Sequence, residues 1–127
     1  MNHFSSSFVL GPGTIAVGTT VYPFCKAPAD AKGGGFTITE AFAVSSAALA
    51  AGSAYDFELV TISNNAVNGT IGTLAAGSAW NAGTVRSITI SDGWVDGGEY
   101  VAARFIGTAV NATSTIVTVG INAVMGR

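Results

Sequence analysis

Apolar residues recur at every second position along most of this chain, and that period confines it to β-strands. Phe36, Ile38, Phe42 and Val44 alternate with Thr37, Thr39, Ala41 and Ala43. Tyr55, Phe57 and Leu59 alternate with Asp56 and Glu58, which are expected to face solvent. Val101, Ala103 and Phe105 alternate with Ala102 and Arg104, and Val117, Val119 and Ile121 with Ile116, Thr118 and Gly120. Ile15, Val17 and Val21 begin the pattern, Thr70–Leu74 and Val85–Ile90 carry shorter runs, and Phe4–Leu10 offers an edge strand. Between these runs stand Gly11-Pro12-Gly13, Gly33-Gly34-Gly35, Asn68-Gly69, Asp92-Gly93 and Asp96-Gly97-Gly98. Such residues tolerate positive φ or preset a turn, and Asn-Gly and Asp-Gly favour hairpins. The expectation is an all-β fold: one β-sandwich or jelly-roll-like domain of about seven to nine short antiparallel strands. It spans residues 1–127, with no linker or internal repeat.

Two places resist that reading. Glu40 falls on the apolar register of Phe36, Ile38, Phe42 and Val44. A buried carboxylate needs a partner, so either Arg86 or Arg104 pairs with it or a β-bulge near Glu40 turns it outward. The stretch Glu40–Ala51 is rich in alanine and suits a helix, yet its first half continues the strand period. A strand to Val44 followed by a connection is the expectation.

Composition narrows the function. Hydrophobic residues make up 49% of the chain and charged ones 9%, against about a quarter charged in ordinary domains. Disordered chains are polar and charged, so disorder is excluded. A monomer usually keeps soluble through a charged surface, and the scarcity of charge here implies a surface largely covered by partners. A surface of Ser, Thr, Asn and Gly is the alternative. The net charge is −2, and Lys26, Lys32, Arg86, Arg104 and Arg127 are scattered, so there is no basic stripe to neutralise nucleic-acid phosphates. No apolar run approaches the length of a bilayer-spanning helix, and no membrane partner is expected. Residues 1–10 carry neither Lys nor Arg and do not resemble a secretory signal. The chain is therefore expected to act where it is made, or to leave by lysis or assembly.

Catalytic groups are scarce. Nucleophilic catalysis needs a nucleophile, a base and an orienting group, and the single histidine, His3, stands near the N-terminus. Cys25, the single cysteine, lies beside Phe24 and reads as a buried structural thiol; one Cys and one His cannot build a zinc site. Asp92, Asp96 and Glu99 cluster in SDGWVDGGEY. They are either oxygen ligands for a cation such as Ca²⁺ or solvated turn residues, and the spacing does not fit an EF-hand. Asp56 and Glu58 share a strand face, as a glycosidase pair might or as solubilising acids do. Neither glycine cluster precedes the lysine and helix of a phosphate cradle. Asn68-Gly69-Thr70 and Asn111-Ala112-Thr113 match the glycosylation sequon. No catalytic, cofactor or metal residue is assigned, and the chain is not expected to be an enzyme. Trp80 and Trp94 lie among turn residues, where each either lids the core or anchors an interface.

The segments GPGTIAVGTTVYPFCKAPADAKGGGFTITEAFAV, AYDFELVTI, WVDGGEYVAARFI and STIVTVGINAV give the chain a pattern that resembles head decoration (cement) proteins of tailed bacteriophages, or related capsid-surface proteins. The likeness is of pattern over most of the chain and carries no site residues across. It implies a β-sandwich or jelly-roll module, made in the host cytoplasm, that binds the major capsid protein on the virion surface as a homo-oligomer, in the form of a trimer. Residues 1–8 would then be an arm reaching onto neighbours. Phe4, Phe8, Trp80, Trp94 and Tyr100 are the candidate interface residues. Two rivals stand beside it: another virion part, such as a head-fibre base or tail protein, and a carbohydrate-binding β-sandwich. In the second, Trp80, Trp94 and Tyr100 would stack on sugar rings and Asp92 and Asp96 would accept hydrogen bonds.

Overall fold

The computed structural model describes residues 2–15, 18–29, 34–46, 55–74, 83–107 and 111–126. These are strands and their connections, with no helix among the described residues. The strands are β1 (His3–Ile15), β2 (Gly18–Lys26), β3 (Gly35–Ser45), β4 (Tyr55–Ser63), β5 (Ala66–Leu74), β6 (Arg86–Ser87), β7 (Thr89–Ile90), β8 (Trp94–Asp96), β9 (Tyr100–Gly107) and β10 (Asn111–Met125). They form two antiparallel five-stranded sheets. One, sheet A, runs β1-β10-β3-β6, with β8 also on β3; the other, sheet B, runs β2-β9-β4-β5-β7. Of the consecutive described strands, β4 and β5 alone neighbour each other in one sheet; every other step along the chain changes sheet. That is jelly-roll order, in which each layer is assembled from strands distant in sequence.

Alternation decides which residues lie between the layers. Phe36, Ile38, Ala41 and Ala43 of β3 meet Phe57 and Leu59 of β4, Val101, Ala103 and Phe105 of β9, and Val117, Val119, Ile121 and Ala123 of β10. Phe57 and Phe105 pack edge-to-face with ring centroids 4.9 Å apart. At the β1–β2 side, Phe8 stacks on Tyr22 at 5.5 Å and on Phe24 at 5.7 Å, so the first strand of each sheet closes the same flank of the core.

Glu40 is explained by a bulge. Along β3, Ile38 pairs with Ala123 and Glu40 with Asn122, which leaves Thr39 as an extra residue between them. Thr39 and Glu40 both face solvent, and the buried phase moves from Phe36 and Ile38 to Ala41, Ala43 and Ser45. Glu40 accepts a hydrogen bond from Asn122 Nδ2 at 2.9 Å, on the outer face. Neither arginine meets it: Arg104 is bound to Glu58 at 2.7 Å, and Arg86 pairs in register with Ala43. The bulge also reverses the expected side of Phe42 and Val44, which lie on the outer face of sheet A. The ring of Phe42 covers Gly120 of β10, its register partner, where any Cβ would collide with the ring. A bare glycine under an aromatic ring fills the gap that its missing side chain leaves in a sheet face.

Other details depart from the alternation and turn chemistry. Among the described residues there are ten strands where about seven to nine were expected, and β1 and β10 are long, at 13 and 15 residues. Gly11-Pro12-Gly13 does not end a strand; it lies inside β1, where the register to β10 shifts. The β4–β5 hairpin turns at Asn64-Asn65, with φ of 52° and 61°, and Asn68-Gly69 lies within β5. Both turn residues in the left-handed region make a two-residue loop whose twist suits the strands. β3 runs on to Ser45, and residues 47–51 of the alanine-rich stretch lie outside the described residues.

Candidate functional site

Cys25 sits half-buried on β2 against the core. Burial pushes its thiol above the ordinary 9.0, and a hydrogen bond with the Ser6 side chain pulls partly back. A protonated thiol is a poor nucleophile. His3 is exposed at the start of β1, opposite Val124, and borders a surface recess lined also by Ser5, Thr39, Glu40 and Asn122.

The SDGWVDGGEY acids are committed to local hydrogen bonds. Asp92 accepts from the backbone N–H of Trp94 at 3.2 Å, and Asp96 accepts from the indole Nε1 of Trp94 at 2.6 Å. Glu99 is 7% exposed; its Oε1 accepts from the N–H of Asp96 at 3.0 Å and its Oε2 from Asn68 Nδ2 at 2.7 Å. Asp92 thus holds the entry to β8, Asp96 holds the indole within it, and Glu99 fastens the β8–β9 turn and ties it to β5. Among the described residues no group of His, Cys, Asp and Glu is placed to hold a metal ion. Glu58 is likewise occupied by Arg104, its register partner across β4 and β9. The Asp56 side chain lies outside the described residues.

The candidate contact residues are dispersed. The half-buried indole of Trp94 lies over Gly35 on the sheet A edge, where a Cβ on the glycine would stand 2.7 Å from the ring. Gly35 has φ of 111°, a backbone state that, with the ring above it, admits no side chain. Tyr100 is 42% exposed on sheet B, with Lys26 Nζ 5.5 Å from its ring centroid. It borders a recess of about 450 Å³ between the β4–β5 and β8–β9 turns, lined also by Asn64, Asn65 and Glu99. Phe4 and Phe8 point inward from β1; Phe4 packs edge-to-face on Phe36 at 4.9 Å. Residues 3–8 are thus the edge strand, paired to β10 from Val124 to Val119, and in this structure they do not extend as an arm. Trp80 lies outside the described residues. Trp94 and Tyr100 stand on different sheets, so these two rings do not form one sugar-stacking platform.

Alternation of small and apolar residues on β1 and β10 marks a further surface. From β1, β10 and β3 the outer face of sheet A presents Ser5, Ser7, Val9, Thr118, Asn122 and Val44, with His3 and Glu40 as its ionisable side chains among the described residues. No family model, no curated protein and no solved structure matches this chain.

Proposed function

We propose that this chain is a structural protein that works by contact: a cement protein bound to the outer surface of a tailed-phage capsid, in more than one copy. The observation that carries this reading is the outer face of β1, β10 and β3, where His3 and Glu40 are the ionisable side chains among the described residues. A face of Ser, Thr, Asn and Val costs little to desolvate compared with one rich in Lys and Glu, so it suits burial against another protein. Jelly rolls recur in viral capsid proteins and in lectins, and the fold by itself does not choose between them. The low charge favours the capsid role, and the carboxylates of Glu40, Glu58, Asp92, Asp96 and Glu99 each already accept a hydrogen bond within the chain. A protein that binds the assembled shell but not its separated subunits shifts the equilibrium toward the shell, and many symmetric copies add avidity.

The test compares particles with and without the protein for release of their DNA on heating or at low salt. Particles lacking it should open under milder conditions, and readdition should restore resistance. Equal robustness would remove the stabilising role, and binding to immobilised glycans instead of shells would favour the carbohydrate-binding alternative.

A further inference from the structure

The four sheet edges differ in how they are protected. A free edge offers unpaired N–H and C=O groups to any passing strand, and proteins blunt such edges with short strands, bulges, proline or charge. On the β3 side of sheet A the edge is split between β6, of two residues, and β8, of three, and the β7 edge of sheet B has two. The β2 edge carries exposed Pro23, a register shift beside it, and Lys26. β1 carries none of these devices from His3 to Leu10. That run pairs with β10 without a break, contains no Asp, Glu, Lys, Arg or Pro, and has no strand on its other side among the described residues.

The direction of its free groups follows from the ladder. Met125 N–H donates to the Asn2 carbonyl at 2.9 Å, and the register places His3 opposite Val124. Antiparallel ladders alternate hydrogen-bonded and non-bonded pairs. Phe4, Ser6 and Phe8 therefore bond toward β10, while the backbones of His3, Ser5, Ser7 and Val9 face the open edge.

We propose that this edge pairs with the same edge of a second copy, antiparallel about a twofold axis through Ser6. Identical strands are self-complementary in this orientation, because the outward groups of Ser5 meet those of Ser7 and the groups of His3 meet those of Val9. Same-parity pairing also keeps the faces matched: Phe4 lies opposite Phe8 of the second copy on the core side, and Ser5 opposite Ser7 on the outer side. The two half-buried phenylalanines, already packed on Phe36 and on Tyr22 and Phe24, gain further cover at the sheet edge. Sheet A becomes continuous across both copies, and the contact closes at two. This inference goes beyond the capsid reading and stands whether or not a shell is the partner.

Sedimentation of the full chain tests it, with folding of each variant checked by circular dichroism. The wild-type chain should show a monomer–dimer equilibrium. The double variant Ser5→Lys/Ser7→Lys sets like charges opposite each other twice across the axis and should weaken the dimer about 10-fold or more. Ser5→Glu/Ser7→Lys sets opposite charges there and should keep near wild-type affinity. A wild-type chain monomeric throughout, a Lys/Lys variant that associates normally, or a Glu/Lys variant as weak as Lys/Lys would each overturn the proposal. Hydrogen exchange needs no variant: the amides of His3, Ser5, Ser7 and Val9 should gain protection with concentration, and an unchanged rate would equally overturn it.

Discussion

At the scale of single residues, hydrogen-bond geometry turns the most suggestive side chains into structural ones. Glu99 shows this best, since one buried carboxylate accepts from the Asp96 backbone and the Asn68 amide. Asn68→Asp would replace a donor 2.7 Å away with a second carboxylate. The variant should lose about 1–2 kcal/mol of stability at neutral pH, the cost of a buried acceptor left unpaired, and like charge adds to it. Two neighbouring carboxylates repel only while both are ionised. The variant's deficit is therefore greatest above the carboxylate range and shrinks as pH falls through it. Denaturant melts of both proteins from neutral to acid pH measure the difference; a constant gap would show that charge repulsion plays no part.

At the scale of elements, β3 carries the main lesson about phase. Its bulge adds Thr39 between two stretches that each alternate correctly. Removing Thr39 would leave Ile38 inward, Glu40 outward and Ala41 inward, which is regular pleating. That deletion should preserve the fold with a modest loss, while deletion of Ala43 would move Val44 and Ser45 to the wrong faces and abolish cooperative melting. Circular dichroism melts of the two deletions distinguish these outcomes. The strand positions of β3, β4, β9 and the second half of β10 were legible because core residues recur at every second position, although Val60 and Ala102 are also fully buried off that phase. The side of Phe42 was not, because the extra residue has no signature in a sequence read by period two, although Glu40 on an apolar register pointed to a bulge. The Asn64-Asn65 turn was written in the sequence as two residues that tolerate positive φ, but Asn68-Gly69 gave the stronger local signal. β8 was hidden because three residues are too few to show a period, and the Trp94 contact with Gly35 arises only when β3 and β8 pair. The candidate site fared worse than the strands for the same reason: Phe4 and Phe8 were read as candidate interface residues, but their inward direction depends on which side of β1 meets β10.

At the scale of the whole molecule, sheet order matters more than any one strand. β10 lies between β1 and β3, and β9 lies between β2 and β4. Long-range pairings of this kind give slow folding, in the range of milliseconds to seconds for β-sandwiches. A chain ended after Gly107 would lack the strand that joins β1 to β3 and should show no cooperative unfolding transition by circular dichroism; a sharp transition would show that sheet B suffices alone. The same order has a consequence for synthesis. While the ribosome is still adding the last fifth or so of the chain, β1 and β3 have each other's edges in reach but no strand to fill the gap, and the eight residues from His3 to Leu10 are exposed on both sides. Nascent chains crowded on one message would then be most adhesive just before completion, so rapid release and chaperone cover, more than the stability of the finished sandwich, would set how much of this protein a cell recovers in usable form.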